Sequence, residues 1–208
     1  RLSSGRRINS SADDAAGTAV GLKLHAQLQG QQAAIKTASD AISLLKLQET
    51  GTFQFVSIIE RIREISVQMA SGSYSDSDRS LAQLEVDALK SQLGLVASGT
   101  MFNNKQILNA SSTSNYQIQA GAGQDENFTI SVIEGATLST NVSSDADVTT
   151  QSNALNTMNK MLTHSQTAKK YLATVGASIN RLSSTINNLS TSAVNTEVAF
   201  GRVVDADY

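Results

Sequence analysis

The sequence predicts a mainly α-helical protein, an elongated antiparallel bundle of long helices with a small β-hairpin region. Two compositional observations favour this fold: the chain has no proline, and aromatic residues make up only 4% of it. The third observation is a sustained spacing of three and four between small and aliphatic residues near both ends of the chain, which is typical of helices packed along one another. Two long helices with matching apolar stripes are more typical of a structural subunit than of an enzyme.

The first helix is expected from about residue 11 to about residue 71, roughly 90 Å of helix. Ser11, Asp13 and Asp14 are predicted to begin it, because a hydroxyl cap and first-turn carboxylates satisfy free amide groups and complement the helix dipole. Its apolar stripe is predicted at Leu28, Gln31, Ile35, Ala38, Ile42, Leu45, Glu49, Thr52, Val56 and Ile59.

A polar, turn-forming segment separates this helix from a second one at about residues 79–98. The second helix carries two adjacent apolar stripes, one at Leu81, Leu84, Ala88 and Leu95 and the other at Val86, Leu89, Leu93 and Val96. An apolar face this wide is expected to contact two partners. The required third helix is predicted from about residue 152 to beyond residue 193, with its stripe at Leu172, Val175, Ile179, Leu182, Ile186, Leu189 and Ala193.

Between the second and third helices the pattern changes to short alternating or clustered segments that are typical of strands. They lie at residues 107–108, 116–120 and 128–132. Residues 139–151 are rich in serine, threonine and aspartate and are expected to form an exposed connection. The predicted domain division therefore has residues 1–98 as the N-terminal part of a rod domain, 99–151 as the hairpin region and connection, and 152–208 as the helix that completes the rod.

Composition excludes several classes of function. The net charge is −2 with scattered basic residues, so no nucleic-acid partner is expected. No apolar run is long enough to cross a bilayer, so no membrane insertion is expected either. No catalytic, cofactor-binding or metal-binding motif is present. Asp145 and Asp147 are too few to predict a cation site, and His25 and His164 are interpreted as incidental.

Several motifs, in the right order, resemble those of bacterial flagellins. They are Arg1–Gly5, Arg7–Asn9, Ser11–Gly17, Arg61–Gln68, Ser75–Asp78, Phe102–Asn103, Ile107–Leu108, Val175–Ala177, Asn180–Leu182, Ile186–Ser190 and Asp205–Tyr208. The resemblance covers nearly the whole chain. It implies a structural subunit of the extracellular flagellar filament that serves motility, forms a homopolymer with other flagellin subunits and is exported by the flagellar type III apparatus.

The resemblance also implies that the chain is a core piece of the family's plan, without both terminal segments and most of the variable outer domains. Alone, such a piece is expected to stay monomeric or to form only weak head-to-tail contacts. The residues expected to contact a neighbouring subunit and the flagellin-sensing Toll-like receptor of hosts are Glu60, Arg61, Arg63, Glu64, Ile65, Gln68 and Glu85. Ser11, Asp13 and Asp14 are further possible subunit contacts.

Arg61 and Glu64 share a helix face because they are three residues apart, and Glu85 on the second helix is expected nearby. The simpler interpretation is a solvated face with weak ion pairs. In the family, Arg61, Ile65 and Glu85 match receptor-contacting positions, whereas Glu60 stands where many receptor-active members carry glutamine.

Two alternatives remain open at this point. The first is a hook–filament junction protein, which shares the helical plan but is expected to have less flagellin-like motifs near residues 61–68. The second is a cell-surface flagellin homologue that acts as a binding module. A binding module needs a concave or aromatic-lined site, and four tyrosines and five phenylalanines scattered along the chain offer little for one.

Overall fold

The structure, a computed structural model, describes residues 5–108, 115–121, 123, 126–131 and 133–205. Its helices and strands are, in order, α1 (Ala15–Met69), α2 (Asp76–Gly99), β1 (Met101–Phe102), β2 (Lys105–Gln106), β3 (Tyr116–Gln119), β4 (Asn127–Ile130), α3 (Gly135–Asp145) and α4 (Gln151–Val204). β1 pairs with β2 and β3 pairs with β4, both antiparallel. The mainly α-helical fold class is confirmed. Across the described residues, none of the helices combines the length and apolar character that a membrane span requires.

The long-range contacts group the described residues into two compact units. The first unit contains residues up to 42, those between 117 and 129, and those from 180 onward. The second unit contains residues between 43 and 116 and between 130 and 179. This grouping runs across both α1 and α4, so it differs from the predicted division at residues 98 and 151.

The first helix begins later than predicted, at Ala15, and its cap is Asp14. Asp14 Oδ1 accepts the backbone N–H of Gly17 at 2.9 Å. Asp13 stabilises the preceding turn, because its Oδ2 accepts the N–H of Asn9 and of Ser10. The prediction of Ser11 as the cap is therefore wrong, since Asp14 occupies the position from which a side chain reaches the first free amides. Any contact of these residues with another subunit stays a prediction.

From residue 31 to residue 69, one row of buried positions in α1 repeats every three and four residues without interruption. They are Gln31, Ala34, Ala38, Ala41, Leu45, Gln48, Thr52, Phe55, Ile59, Ile62, Ser66 and Met69. Half of the predicted stripe coincides with this row, but its alternate positions, such as Ile35 and Ile42, are only half-buried. Between residues 31 and 59 the prediction missed Ala34, Ala41, Gln48 and Phe55; the first three are small or polar, so the hydrophobic pattern favoured neighbouring positions instead.

The second helix begins with a capping box, in which Ser75 Oγ accepts the N–H of Asp78 at 3.2 Å and the Asp78 carboxylate accepts the N–H of Ser75 at 3.0 Å. Of its two predicted stripes, only the one containing Val86, Leu93 and Val96 is buried. The leucines of the other stripe are exposed: Leu81, Leu84 and Leu95. Within the described residues, α2 therefore buries only one of its two apolar faces.

Residues 135–145 form helix α3, so the predicted exposed connection is wrong there. Leu138 and Val142, four residues apart, are buried, and α3 packs against α2. Thr157 of α4 holds the end of α3, because its hydroxyl donates to the carbonyls of Asp145 and Asp147 at 3.0 and 2.7 Å. Serine and threonine have low helix propensity, so this helix depends on packing rather than on its composition.

Candidate intermolecular contact site

An exposed cluster of three charged residues, Arg61, Glu64 and Glu85, joins α1 to α2; we call it the Arg61 cluster. Arg61 Nε and Nη2 donate to Glu85 Oε1 at 3.1 and 2.8 Å, and Nη1 donates to Glu64 Oε2 at 3.1 Å. The Arg61 and Glu85 side chains nevertheless keep 52% and 51% of their surface exposed. The hydrogen bonds to Glu85, and then to Glu64, raise the pKa of Arg61 above its ordinary value. The predicted proximity of these residues is confirmed.

Glu60 points in another direction, toward α4. Its Oε1 accepts from Ser165 Oγ at 2.6 Å and from Lys169 Nζ at 2.8 Å, while Arg63 Nη1 lies 3.6 Å from Oε2. The bond from Lys169, followed by that from Ser165, lowers the pKa of Glu60 below its ordinary value. Glu60 therefore connects α1 to α4 within the second unit, and Arg63 supports it there.

Replacing Glu60 with glutamine is expected to weaken the acid sensitivity of the second unit. A carboxyl group whose pKa is lowered by folding stabilises the fold above its unfolded value, here 4.5, and loses that contribution as the pH falls through its folded value. In urea titrations from about pH 5 down to about pH 3, Glu60→Gln should therefore lose less stability than the wild type. Lys169→Met removes the largest cause of the shift and should also reduce the loss. Equal losses in all three proteins would contradict this role.

Two other predicted contact residues have different surroundings. Ile65 is only 4% exposed and belongs to the core, so the prediction that it contacts a partner is corrected: in this packing its side chain cannot reach one. Gln68 is exposed, and its Nε2 donates to the hydroxyl of Tyr74 at 2.9 Å. Like the Arg61 cluster, Gln68 is therefore an exposed polar group that a partner can reach.

Arg79 is a buried structural residue that the sequence analysis missed. It is only 4% exposed, and its Nε and Nη2 donate to the backbone carbonyls of Met69 and Ser71, both at 2.8 Å. Its Nη1 donates to Asp76 Oδ1 at 2.9 Å. The guanidinium thus satisfies carbonyls that the end of α1 leaves free. An arginine in the first turns of a helix, just after a short polar turn, is the signal that could have indicated it.

His164 is also not incidental, contrary to the sequence analysis. Its Nε2 lies 2.8 Å from Asp145 Oδ2, and Lys160 Nζ donates to Asp145 Oδ1 at 2.7 Å. Burial raises the pKa of Asp145, but the bonds from Lys160 and His164 outweigh it, so the pKa is lowered. The sequence could not indicate that His164 lies beside Asp145, because that contact depends on α3, which places Asp145 next to α4.

Asp145 and Asp147, the two carboxylates that were considered for a cation site, have partners within the protein instead. Asp147 Oδ1 accepts the N–H and the hydroxyl of Thr149, and its Oδ2 accepts from Asn153 Nδ2. Among the described residues, no group of three or more acidic, histidine or cysteine side chains is arranged to hold a metal ion. These polar groups therefore anchor the segment between α3 and α4.

A cleft in the first unit bears on the binding-module alternative. Its volume is about 370 Å³, and Ile8, Gly21, Phe200 and Val204 are among the residues that line it. Phe200 is its one aromatic lining residue among those described, and it contacts the ring of His25. A single ring gives little basis for recognising a ligand.

Comparison with known proteins identifies relatives of the chain. The family model for the bacterial flagellin N-terminal helical region matches residues 1–113. The flagellin of Listeria monocytogenes is 30% identical over all of this chain, which covers 77% of that protein. Polar flagellin F of Vibrio parahaemolyticus is 40% identical over 60% of this chain, and the match spans only 33% of that longer protein.

Solved structures give the same fold. The crystal structure of Bacillus cereus flagellin superposes with a TM-score of 0.68 at 24% identity, covering 79% of this chain and 94% of that chain. A structure described as that of a flagellar hook-associated protein from Vibrio parahaemolyticus superposes with a TM-score of 0.74 at 14% identity, covering 93% and 100%. At these identities the likenesses show the fold alone, so they do not favour the hook–filament junction alternative.

The family assignment depends instead on the sequence matches. The family model covers more than half of the chain, and the Listeria relative aligns with all of it. The chain therefore belongs to the bacterial flagellin family, a family of structural proteins that form the flagellar filament.

Proposed function

We propose that the chain contributes to an extracellular filament, and so to motility, by packing against further copies of itself, with the Arg61 cluster at one contact between copies. The observation that carries this proposal is that three charged side chains are held in one geometry across α1 and α2 while remaining exposed. Exposed ion pairs contribute little to the stability of a single chain. At an interface, by contrast, fixed charges supply register and specificity.

The test is the effect of Arg61→Ala on self-association, which is expected to be weak for this chain alone and is therefore measured by sedimentation velocity up to high protein concentration. Loss of a charge-assisted contact is expected to weaken association about tenfold, equivalent to about 1.4 kcal/mol. Lys46→Ala is the matched control, because it also removes one exposed positive charge from α1 in the same unit. Association of Arg61→Ala at wild-type strength, with circular dichroism unchanged, would contradict the proposal.

The proposal extends to recognition of the same surface by the flagellin-sensing Toll-like receptor of hosts. Family membership and the exposure of Arg61, Glu64, Gln68 and Glu85 support it. Glu60 is expected to contribute less, because its carboxylate is engaged by Ser165 and Lys169.

In a reporter-cell assay, Arg61→Ala is expected to raise the concentration needed for half-maximal signalling at least about tenfold, while Lys46→Ala leaves it unchanged. Both variants are first shown to be helical by circular dichroism. Full signalling by Arg61→Ala would exclude this surface as the receptor contact, and silence of the wild type would exclude receptor recognition by this chain.

Family membership also supports export of the full-length protein through the flagellar type III apparatus. The expected result is that a flagellated bacterium secretes the protein and that a strain without this apparatus retains it inside the cell. Equal secretion by both strains would contradict this route. We further propose that the chain has no enzymatic activity, which is supported by its membership of a family of structural proteins.

A further inference from the structure

The C-terminal end of α3 is attached to α4 through one titratable side chain, that of Asp145. Its Oδ1 accepts from Lys160 Nζ at 2.7 Å, and its Oδ2 lies 2.8 Å from His164 Nε2. We call these three residues the Asp145 cluster. The Asp145 and His164 side chains are only 24% and 13% exposed. Thr157 adds hydrogen bonds from a hydroxyl, which does not titrate, so the Asp145 cluster is the charged part of the attachment.

Helix α3 has little stability of its own. It is eleven residues long and rich in serine and threonine, and Glu134 at its N-cap makes no side-chain capping hydrogen bond. A helix of this length and composition is marginal in water, so it depends on docking. The docked face buries Leu138 and Val142. A change at the charged end of α3 is therefore expected to shift the balance between its docked and released states.

Acid reverses the charge balance of the Asp145 cluster. An ionised carboxylate only accepts hydrogen bonds, so Nε2 of His164 carries the proton while Asp145 is ionised. Burial raises the pKa of Asp145, but the bonds from Lys160 and His164 outweigh it and hold the pKa below its ordinary value of 3.8. Lysine and histidine are both cationic in acid. Once Asp145 is protonated, two cations therefore face a neutral carboxyl group in a partly buried site, and their attraction to α3 is lost.

Asp147, which follows α3, responds to acid in the same direction. Burial raises its pKa, but the bonds from Thr149 and Asn153 outweigh this effect, so its pKa is lowered. From α2 it is faced by Lys90, whose charge also lowers its pKa, and by Asp87, which is paired with Lys90 at 3.1 Å. Acid therefore weakens both carboxylate contacts at this end of α3.

Two other acidic groups of the second unit have different roles. Glu134, at the start of α3, faces Tyr171 of α4; burial, and then the charge of Glu134, raise the pKa of the Tyr171 hydroxyl, which does not titrate in acid. Glu60 of α1 accepts from Ser165 and Lys169 of α4, so its protonation loosens α1 from α4 rather than α3 from α4. The acid response of α3 is thus concentrated at its C-terminal end.

We propose that the Asp145 cluster is an acid-sensitive latch: protonation of Asp145 releases α3 from α4 while the long helices α1 and α4 stay folded. The carboxylate stabilises the docked state above 3.8, its ordinary value, and this contribution is lost as the pH falls through the lower docked pKa. Release uncovers Leu138 and Val142, together with the part of the core where the ring of Phe55 lies against the start of α3. The latch therefore couples the pH outside the cell to the exposure of apolar surface on the second unit.

Amide hydrogen exchange at about pH 6 and about pH 3, corrected for the intrinsic pH dependence of exchange, separates release of α3 from unfolding of the whole unit. In the wild type, residues 138–146 are expected to lose at least about tenfold more protection in acid than residues 55–66 of α1, because two charge-assisted hydrogen bonds are lost. Equal losses in the two segments, or no loss in α3, would overturn the proposal.

Asp145→Asn should show weak protection of α3 already at about pH 6 and only a small further fall in acid, because an amide is neutral at both pH values and cannot accept from both cations. Lys160→Met, which leaves the carboxyl group in place and changes a half-exposed side chain, should also reduce the fall. Glu60→Gln is the matched control: it too removes a carboxylate that binds a lysine of α4, yet the acid response of α3 should stay as in the wild type. An undiminished fall in Asp145→Asn, with its circular dichroism still helical, would contradict the latch.

Discussion

Replacing Arg79 with methionine is expected to lower the free energy of unfolding by about 3 kcal/mol. The guanidinium donates to the carbonyls of Met69 and Ser71 from a buried position, and methionine fills similar volume without any donor. Both carbonyls then lose a partner at the end of α1, where the helix itself supplies none. Urea unfolding followed by circular dichroism measures the change.

Arg61→Met is the matched control, because Arg61 also makes three side-chain hydrogen bonds but remains about half exposed. Its loss is expected to cost less than about 1 kcal/mol. If the two variants were equally stable, Arg79 would have no special role in joining the end of α1 to α2. The comparison separates a buried arginine that stabilises the fold from an exposed one that is free to contact a partner.

Gly135→Ala is expected to lower the free energy of unfolding by about 2–3 kcal/mol, the range for an overpacked core. A Cβ atom at this position would lie 2.4 Å from the carbonyl oxygen of Leu108 and 3.0 Å from the ring of Phe55. The closer neighbour is backbone, so relief requires the start of α3 to move away from the segment after β2. The measurement is again urea unfolding.

Gly94→Ala is the control for this glycine, since a Cβ at position 94 meets nothing within 4 Å. Gly94 lies inside α2, so alanine there is expected to raise the free energy of unfolding by about 0.5–1 kcal/mol. Opposite signs for the two substitutions are the expected outcome. A stabilising Gly135→Ala would mean that α3 does not pack against Leu108 as described.

Helix spacing made the long helices predictable, but it could not place every buried position. In α1, Ala38, Leu45 and Ile59 were predicted correctly because they are both apolar and buried. Gln48, also buried, was missed because the predicted stripe ran through its neighbour Glu49; the Gln48 Nε2 donates to the carbonyls of Ile107 and Ser131, both at 3.4 Å. These partners are distant in the sequence.

Helix α3 shows a second limit of sequence-based prediction. Its serine- and threonine-rich composition is typical of an exposed connection, and only the spacing of Leu138 and Val142 indicates a helix. The contacts of Asp145 with Lys160 and His164 hold the end of α3, and they form only once α3 and α4 have packed together. Tertiary contacts therefore decided the structure of this segment.

The candidate site was predicted in part. The proximity of Arg61, Glu64 and Glu85 followed from helix spacing and from the order of the two helices. The direction of Glu60 could not be predicted, because it depends on which residues of α4 lie opposite it. Ile65 was misplaced for a related reason, since an isoleucine beside charged residues does not reveal which side of the helix is buried.

The most direct measurement of the central claim, that this chain packs against copies of itself through the second unit, is amide hydrogen exchange at low and at high protein concentration. We expect exchange to slow at high concentration around residues 61–68 of α1 and around Glu85 on α2. The rest of the second unit should be unchanged. Slowing confined to the first unit, or no slowing at any concentration, would contradict the account.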